Sequence, residues 1–194
     1  MPGTKEAVGN WSRVFEDLNE ESGPTALEIE GRLPSDLRGS LYRVGPSCFS
    51  PFGYEYQTLF DGEGAVSRVQ FDGKGAKGSI RFVDGPDRQE ERAKGKALYG
   101  TFGTKAPSRF NRVGGRIKNG ANTALLSWQG RMFSLFEGGL PTEISPADLS
   151  TIGETDLEGQ VLQSFSAHPH YVPGRKAFYN YGVRFGPTTH LDLY

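Results

Sequence analysis

The 194-residue sequence is poor in the residues that staple chains or gather metals: one cysteine, Cys48, three histidines, two methionines and two tryptophans. A single thiol excludes an intramolecular disulfide and a cysteine-built zinc site, and it suits a reducing, cytoplasmic setting. Neither sign of charge is in excess, since 22 basic against 23 acidic residues leave a formal net charge of −1. Without a global basic field, nucleic acid is not expected as a partner. Long apolar runs are missing too: residues 1–25 are polar and nothing reads as a signal peptide or membrane-crossing helix, so any membrane contact would be peripheral. Several chemical motifs are absent as well. Gly114, Gly115 and Gly120 lack phosphate-loop spacing, Phe60-Asp61-Gly62-Glu63-Gly64 lacks the further oxygen ligands of a calcium loop, and no nucleophile elbow occurs.

What is abundant is glycine, proline and phenylalanine, at 27, 12 and 13 residues. Such a composition suits short strands joined by tight turns, so the fold class expected is all-β. Trp11, Val14, Phe15 and Leu18 have helical spacing and predict a short helix in a lead-in over residues 1–26. Strands are expected at Leu27 to Glu30 and Ser40 to Val44, the second ended by Gly45-Pro46. Val66 to Phe71 and Ser79 to Val83 form a hairpin about Asp72-Gly73-Lys74-Gly75. Residues 84–120, first charged and then glycine-rich, read as a long excursion over a rim. The clearest hairpin joins Asn122 to Trp128 with Arg131 to Glu137 through Gln129-Gly130. Its alternation places Phe133, Leu135 and Glu137 on one face and Met132, Ser134 and Phe136 on the other. Ser145-Pro146-Ala147-Asp148 predicts one helical turn, and strands are expected again at Gln160 to Phe165, at Lys176 to Phe185 and through the closing run to Tyr194.

Two of the three histidines fall in Phe165-Ser166-Ala167-His168-Pro169-His170. Imidazole is a common metal ligand, and residues two apart on a strand share a face. Pro169 between them points to a strand end, and two histidines beside a turn are as readily solvated surface groups. Glu137, at the end of an apolar stripe, reads as a solvated strand end unless a cation or imidazole meets it.

Six segments, in order, carry a resemblance: Leu41-Tyr42-Arg43-Val44-Gly45-Pro46, Phe60-Asp61-Gly62-Glu63-Gly64-Ala65-Val66, Lys118-Asn119-Gly120-Ala121-Asn122-Thr123, Leu135-Phe136-Glu137-Gly138-Gly139, Thr151-Ile152-Gly153 and Phe165-Ser166-Ala167-His168-Pro169. Together they resemble the N-terminal part of the carotenoid cleavage oxygenases, nearest the bacterial apocarotenoid oxygenases. The resemblance implies a seven-bladed β-propeller with a non-haem Fe(2+) on its axis, held by four histidines. It also implies cleavage of a carbon–carbon double bond in an apolar polyene by O2. It makes His168 a metal ligand and Glu137 the carboxylate that hydrogen-bonds a ligand histidine, with Phe136 where the family has tryptophan. It places Thr123 near the metal and Phe60 in the substrate tunnel.

A propeller blade takes roughly 40–45 residues, so the span 27–194 is expected to hold about three to four blades of an open, C-terminally truncated propeller. One family ligand histidine, His168, is present; neither His170 nor His190 matches another, and the partner of Glu137 is expected beyond Tyr194. A missing C-terminal half is thus the implied protein partner. The segment matching the family's membrane-docking patch, Thr104 to Val113, is more basic than apolar. Two readings follow: an incomplete copy of a dioxygenase acting on apocarotenoids or stilbene-like phenylpropanoids, or a catalytically inactive propeller fragment serving as a binding piece.

Overall fold

The computed structural model describes residues 11–108 and 117–194. After a 3-10 turn at Trp11–Phe15, strands β1 (Ser22–Ala26), β2 (Arg38–Cys48), β3 (Glu63–Asp72) and β4 (Ala76–Phe82) form an antiparallel sheet in the order β1-β4-β3-β2. The β3–β4 turn is closed by Asp72, whose Oδ1 accepts the N–H groups of Lys74 at 2.9 Å and Gly75 at 2.8 Å. Residues Leu27 to Glu30 are not a strand, because Ser22–Ala26 already occupies the free edge of β4. Nor does Gly45-Pro46 end β2. The strand runs on to Cys48 through an irregularity between Pro46 and Cys48, where the absent proline N–H disturbs least.

The excursion after β4 contains a helix that hydrophobic patterning does not reveal, α1 (Pro86–Lys94). Its ends are well specified, with Pro86 in the first turn and Gly95 in a left-handed conformation, φ 61°, at the C-cap. The inward face is acidic instead of apolar: Asp87 and Glu91 are the buried residues of this helix.

A second antiparallel sheet follows in chain order: β5 (Ala124–Trp128), β6 (Arg131–Leu135), β7 (Thr142–Ile144) and β8 (Thr151–Glu154). Gln129 and Gly130 both have positive φ, 51° and 76°, as a two-residue hairpin turn requires. The alternation along β6 sorts its side chains between two cores. Met132 joins Val66, Val83, Ala121, Ile144 and Leu149 on the side of the first sheet. Phe133 and Leu135 join Leu126, Val161, Phe165 and Ala167 on the other. Each fully buried side chain of this size stabilises the fold by about 1.5–3 kcal/mol relative to exposure.

Residues 145–148 make the one expected turn, the Leu149 N–H donating to the Ser145 carbonyl at 2.8 Å, and do not extend into a helix. The carbonyls of Pro146 and Ala147 turn to Arg68, whose Nη1 donates to them at 3.0 and 2.6 Å. Gln160 to Phe165 is likewise not a strand. Its backbone is spent on single ties, Val161 N–H to the Asp156 carbonyl and Phe165 N–H to that of Gly139. The run 176–185 divides at Asn180 into β10 (Ala177–Tyr179), paired with β9 (His170–Val172), and β11 (Tyr181–Arg184), paired with β12 (His190–Leu193). Among the described residues there are two four-stranded sheets and two two-stranded ones, and they do not close on one another.

Candidate metal-ligand site

Local backbone economy places the histidines. The Phe165 N–H is bound to the Gly139 carbonyl and the Ser166 N–H to that of Tyr181, so the segment leading to His168 is clamped between the second sheet and β11. Asn180 adds a third tie, its side-chain amide donating to the Ser166 carbonyl at 2.8 Å. Ala167 is buried in the second core, which delivers His168 to the surface immediately before β9. On the opposite side, β6 ends at Leu135 and the chain turns at once, carrying Glu137 out of the sheet.

These two side chains meet. His168 Nε2 lies 2.9 Å from Glu137 Oε1, with about two-thirds of the imidazole and one-third of the carboxylate exposed. Among the described residues the imidazole that meets Glu137 is that of His168. A carboxylate accepting from Nε2–H fixes the imidazole tautomer and leaves the lone pair on the other ring nitrogen. His168 also lines an open cleft of about 420 Å³, walled by Ala124 to Ser127 of β5, by Ala167 to His170 and by Phe178. His168 and His170 both line it.

Thr123 lies at the entry to β5, its N–H on the Leu135 carbonyl at 3.0 Å and its hydroxyl donating to Asn122 Oδ1 at 2.9 Å. Phe60 is 73% exposed, in a 3-10 turn at Leu59–Asp61. Asp61 beneath it is buried. Burial opposes its charge, but hydrogen bonds from the Gly103 N–H and the Thr104 hydroxyl hold its carboxyl below the ordinary range. The segment Thr104 to Val113 falls in part outside the described residues.

The largest charged cluster among the described residues lies elsewhere; Glu63 and Lys118 belong to two of the motif segments, and Glu91 comes from α1. Lys118, 1% exposed, donates to Glu63, to Glu91 and to the Tyr56 hydroxyl, the last at 3.1 Å, while Arg88 Nε reaches Glu63 Oε2 at 2.8 Å. Burial works against the Lys118 ammonium, yet Glu63 and Glu91 raise its pKa above the usual lysine range. The i, i+4 pairs Asp84–Arg88 and Glu90–Lys94 were the signal for α1, but the pairing of Lys118 crosses 55 residues to Glu63 and leaves no local trace. Cys48, its thiol pushed up to about 11 by burial and then by Glu63 and Asp17, is no nucleophile.

Among the described residues no group of three or more His, Cys, Asp or Glu side chains is arranged to hold a metal. One imidazole supported by a carboxylate suits Fe(II) as a single donor, and it fits the group as part of a larger set. No helix of the described residues is long and apolar enough to cross a membrane.

Comparison with known proteins bears on this arrangement. Residues 15–194 match the family model described as RPE65, retinal pigment epithelial membrane protein. The apocarotenoid-15,15'-oxygenase of Synechocystis is 32% identical over 196 residues, covering 95% of this chain and 40% of that protein. A lignostilbene-alpha,beta-dioxygenase isozyme of Sphingomonas paucimobilis is 30% identical over 183 residues, covering 94% and 36%. The structure of the cobalt-substituted Synechocystis enzyme superposes with a TM-score of 0.82 at 30% identity, over 94% of this chain and 41% of that one. The chain thus spans about two-fifths of the length of these relatives. Its two four-stranded sheets and two hairpins are an open part of the propeller seen there. With fold, motif order and family model in agreement, the chain belongs to the RPE65/carotenoid cleavage oxygenase family.

Proposed function

We propose that this chain supplies one wall and one metal ligand of a non-haem Fe(II) dioxygenase that cleaves a carbon–carbon double bond of an apocarotenoid with O2. The observation that carries this reading is the 2.9 Å contact of Glu137 with His168, a residue that lines the cleft. A solvated strand-end glutamate has no need of an imidazole, and a surface histidine has no need of a fixed tautomer. Each residue has a task when the imidazole is a donor held in one orientation.

Iron, when bound, supplies the redox chemistry that lets dioxygen react with a polyene. The chain's own residues orient and enclose. Glu137 holds the Nε2 proton of His168, so the ring cannot turn its protonated edge toward a metal. The apolar side chains of Ala124, Leu126 and Phe178 offer a polyene a surface from which water is displaced. Thr123 and Phe60 are assigned to the metal side and the tunnel wall by their places in the matching motifs. An apocarotenoid is the first substrate class and a stilbene-like phenylpropanoid the second, in keeping with the names of the two relatives.

A second reading, a catalytically silent binding piece, is favoured by the lack of a three-ligand group among the described residues. Cleavage of an apocarotenal under O2 and Fe(II) separates the two. Residues 1–194 alone are expected to give no product above a metal-only control. Addition of a separately produced C-terminal portion of a family propeller is expected to restore cleavage. His168→Ala should abolish the restored activity and His170→Ala should leave most of it. Cleavage that survives His168→Ala would overturn the ligand assignment.

A further inference from the structure

The joint between the two sheets is built from backbone and one buried amide. The Gly64 N–H donates to the Gly120 carbonyl at 2.8 Å. A Cβ at position 64 would stand 2.3 Å from the Ala121 carbonyl oxygen, so only glycine permits the approach. Ala121 is held in a left-handed conformation, φ 43°, and its carbonyl accepts the hydroxyl of Ser134 at 2.6 Å. The next residue, Asn122, is 5% exposed. Its amide nitrogen donates to two main-chain carbonyls, those of Phe60 at 2.9 Å and Gly62 at 2.6 Å. Its amide oxygen accepts the hydroxyl proton of Thr123 at 2.9 Å. Both hydrogens and the oxygen of one buried side chain are thereby committed to the two segments assigned above to tunnel wall and metal face.

We infer that Asn122 is a positioning residue that locks the Phe60 turn to the entry of β5 and, through its oxygen, fixes the side-chain rotamer of Thr123. The inference rests on the reading of Phe60 and Thr123 as parts of one site, but its geometry is independent of any bound metal. The amide suits the task because it donates and accepts at once; a carboxylate can only accept, and alanine does neither. The substitution Asn122→Asp would thus keep the bond from Thr123 while losing both donors to the turn. The capping box of that turn, with Thr58 and Asp61 bonded to each other's backbone, keeps its internal shape and leaves Asn122 to set its placement.

The test uses residues 1–194 without metal. Amide hydrogen exchange is followed over residues 58–64 and, as a distant control, over β6. Three-bond couplings of the Thr123 γ-methyl carbon report its χ1 rotamer. Asn122→Ala should speed exchange over 58–64 about tenfold, leave β6 unchanged and average the Thr123 couplings. Asn122→Asp should speed exchange equally but keep the single rotamer. Thr123→Val should leave exchange over 58–64 as it is. Should Asn122→Ala fail to fold, the contrast between the aspartate and valine variants decides. Unchanged exchange over 58–64 in Asn122→Asp, or averaged Thr123 couplings in it, would overturn the inference. Since no readout involves iron or substrate, loss of the dioxygenase reading would leave these results standing, and their failure would leave that reading untouched.

Discussion

Two carboxylate contacts in this molecule have opposite settings. Lys118 with Glu63 and Glu91 is almost wholly withdrawn from water, whereas His168 with Glu137 is largely exposed. Taking charges out of water costs several kcal/mol per ion, and attraction repays it only when every partner is in place. The buried cluster therefore behaves as a structural unit: α1 docks through it, and Glu91 also accepts the N–H groups of Leu98 and Tyr99 at 2.7 and 3.1 Å. The exposed pair contributes little to folding and leaves the imidazole reachable. The short contact is common to both groups; exposure to solvent, and for His168 to the cleft, is what separates them.

The sharpest way to break the comparison is Lys118→Ala. It leaves Glu63 and Glu91 buried without their cation and is expected to cost about 3–5 kcal/mol. Urea unfolding should show a large fall in midpoint, with loss of the helical circular dichroism of α1. A cost below about 1 kcal/mol would mean that the cluster is wet. His168→Ala, next, should remove the weak Co(II) or Fe(II) binding of the chain, read by titration calorimetry, while stability moves by less than about 1 kcal/mol. Stoichiometric, tightly held metal in the parent chain would instead reveal ligands additional to His168. Glu137→Gln keeps an acceptor and removes the charge, so it should change the unfolding midpoint by only a few tenths of a kcal/mol and weaken metal binding severalfold.

The smallest expected effect is acidic. Hydrogen bonds from Ser145 and then Ser150 hold the exposed Asp148 carboxyl at about 2, below its ordinary 3.8. A depressed carboxyl stabilises the fold above the ordinary value and loses that contribution as pH falls through the folded one. Its share of stability is thus complete above pH 4 and fades toward pH 2. Asp148→Asn should flatten the melting temperature across that window and leave neutral pH almost unchanged.

Where sequence sufficed, local chemistry decided the outcome. The hairpins about Asp72-Gly73-Lys74-Gly75 and Gln129-Gly130 follow from turn residues and alternation, and β6 divides its side chains between two cores as its pattern demands. The motifs placed His168 and Glu137 in one family site, though not in contact with each other. Where it failed, distant partners decided. Helix α1 buries Asp87 and Glu91 instead of an apolar stripe, so hydrophobic periodicity had nothing to find, although Pro86, Gly95 and the i, i+4 pairs were there to read. Ser22–Ala26 contains Gly23-Pro24 and looks like a turn, yet β4 offered it an edge. Gln160 to Phe165 has strand-like composition but finds no continuous edge, only separate carbonyls of Asp156, Leu157 and Gly139.

The close approach at Gly64 has a bearing on how such a molecule tolerates change. Beside the side-chain core the two sheets share, the first sheet meets the segment entering β5 through a main-chain bond, Gly64 N–H to the Gly120 carbonyl, while Val83 N–H to the Gly64 carbonyl prolongs the β3–β4 ladder. Peptide groups are common to every sequence, so the spacing of this joint is indifferent to most substitutions around it. Side chains of the cleft wall on β5 can be exchanged without touching this main-chain contact. The joint separates what must stay constant from what is free to diversify, and it concentrates the intolerance of the region on two positions: Asn122, whose amide ties the turn, and Gly64, where a single methyl group cannot be absorbed.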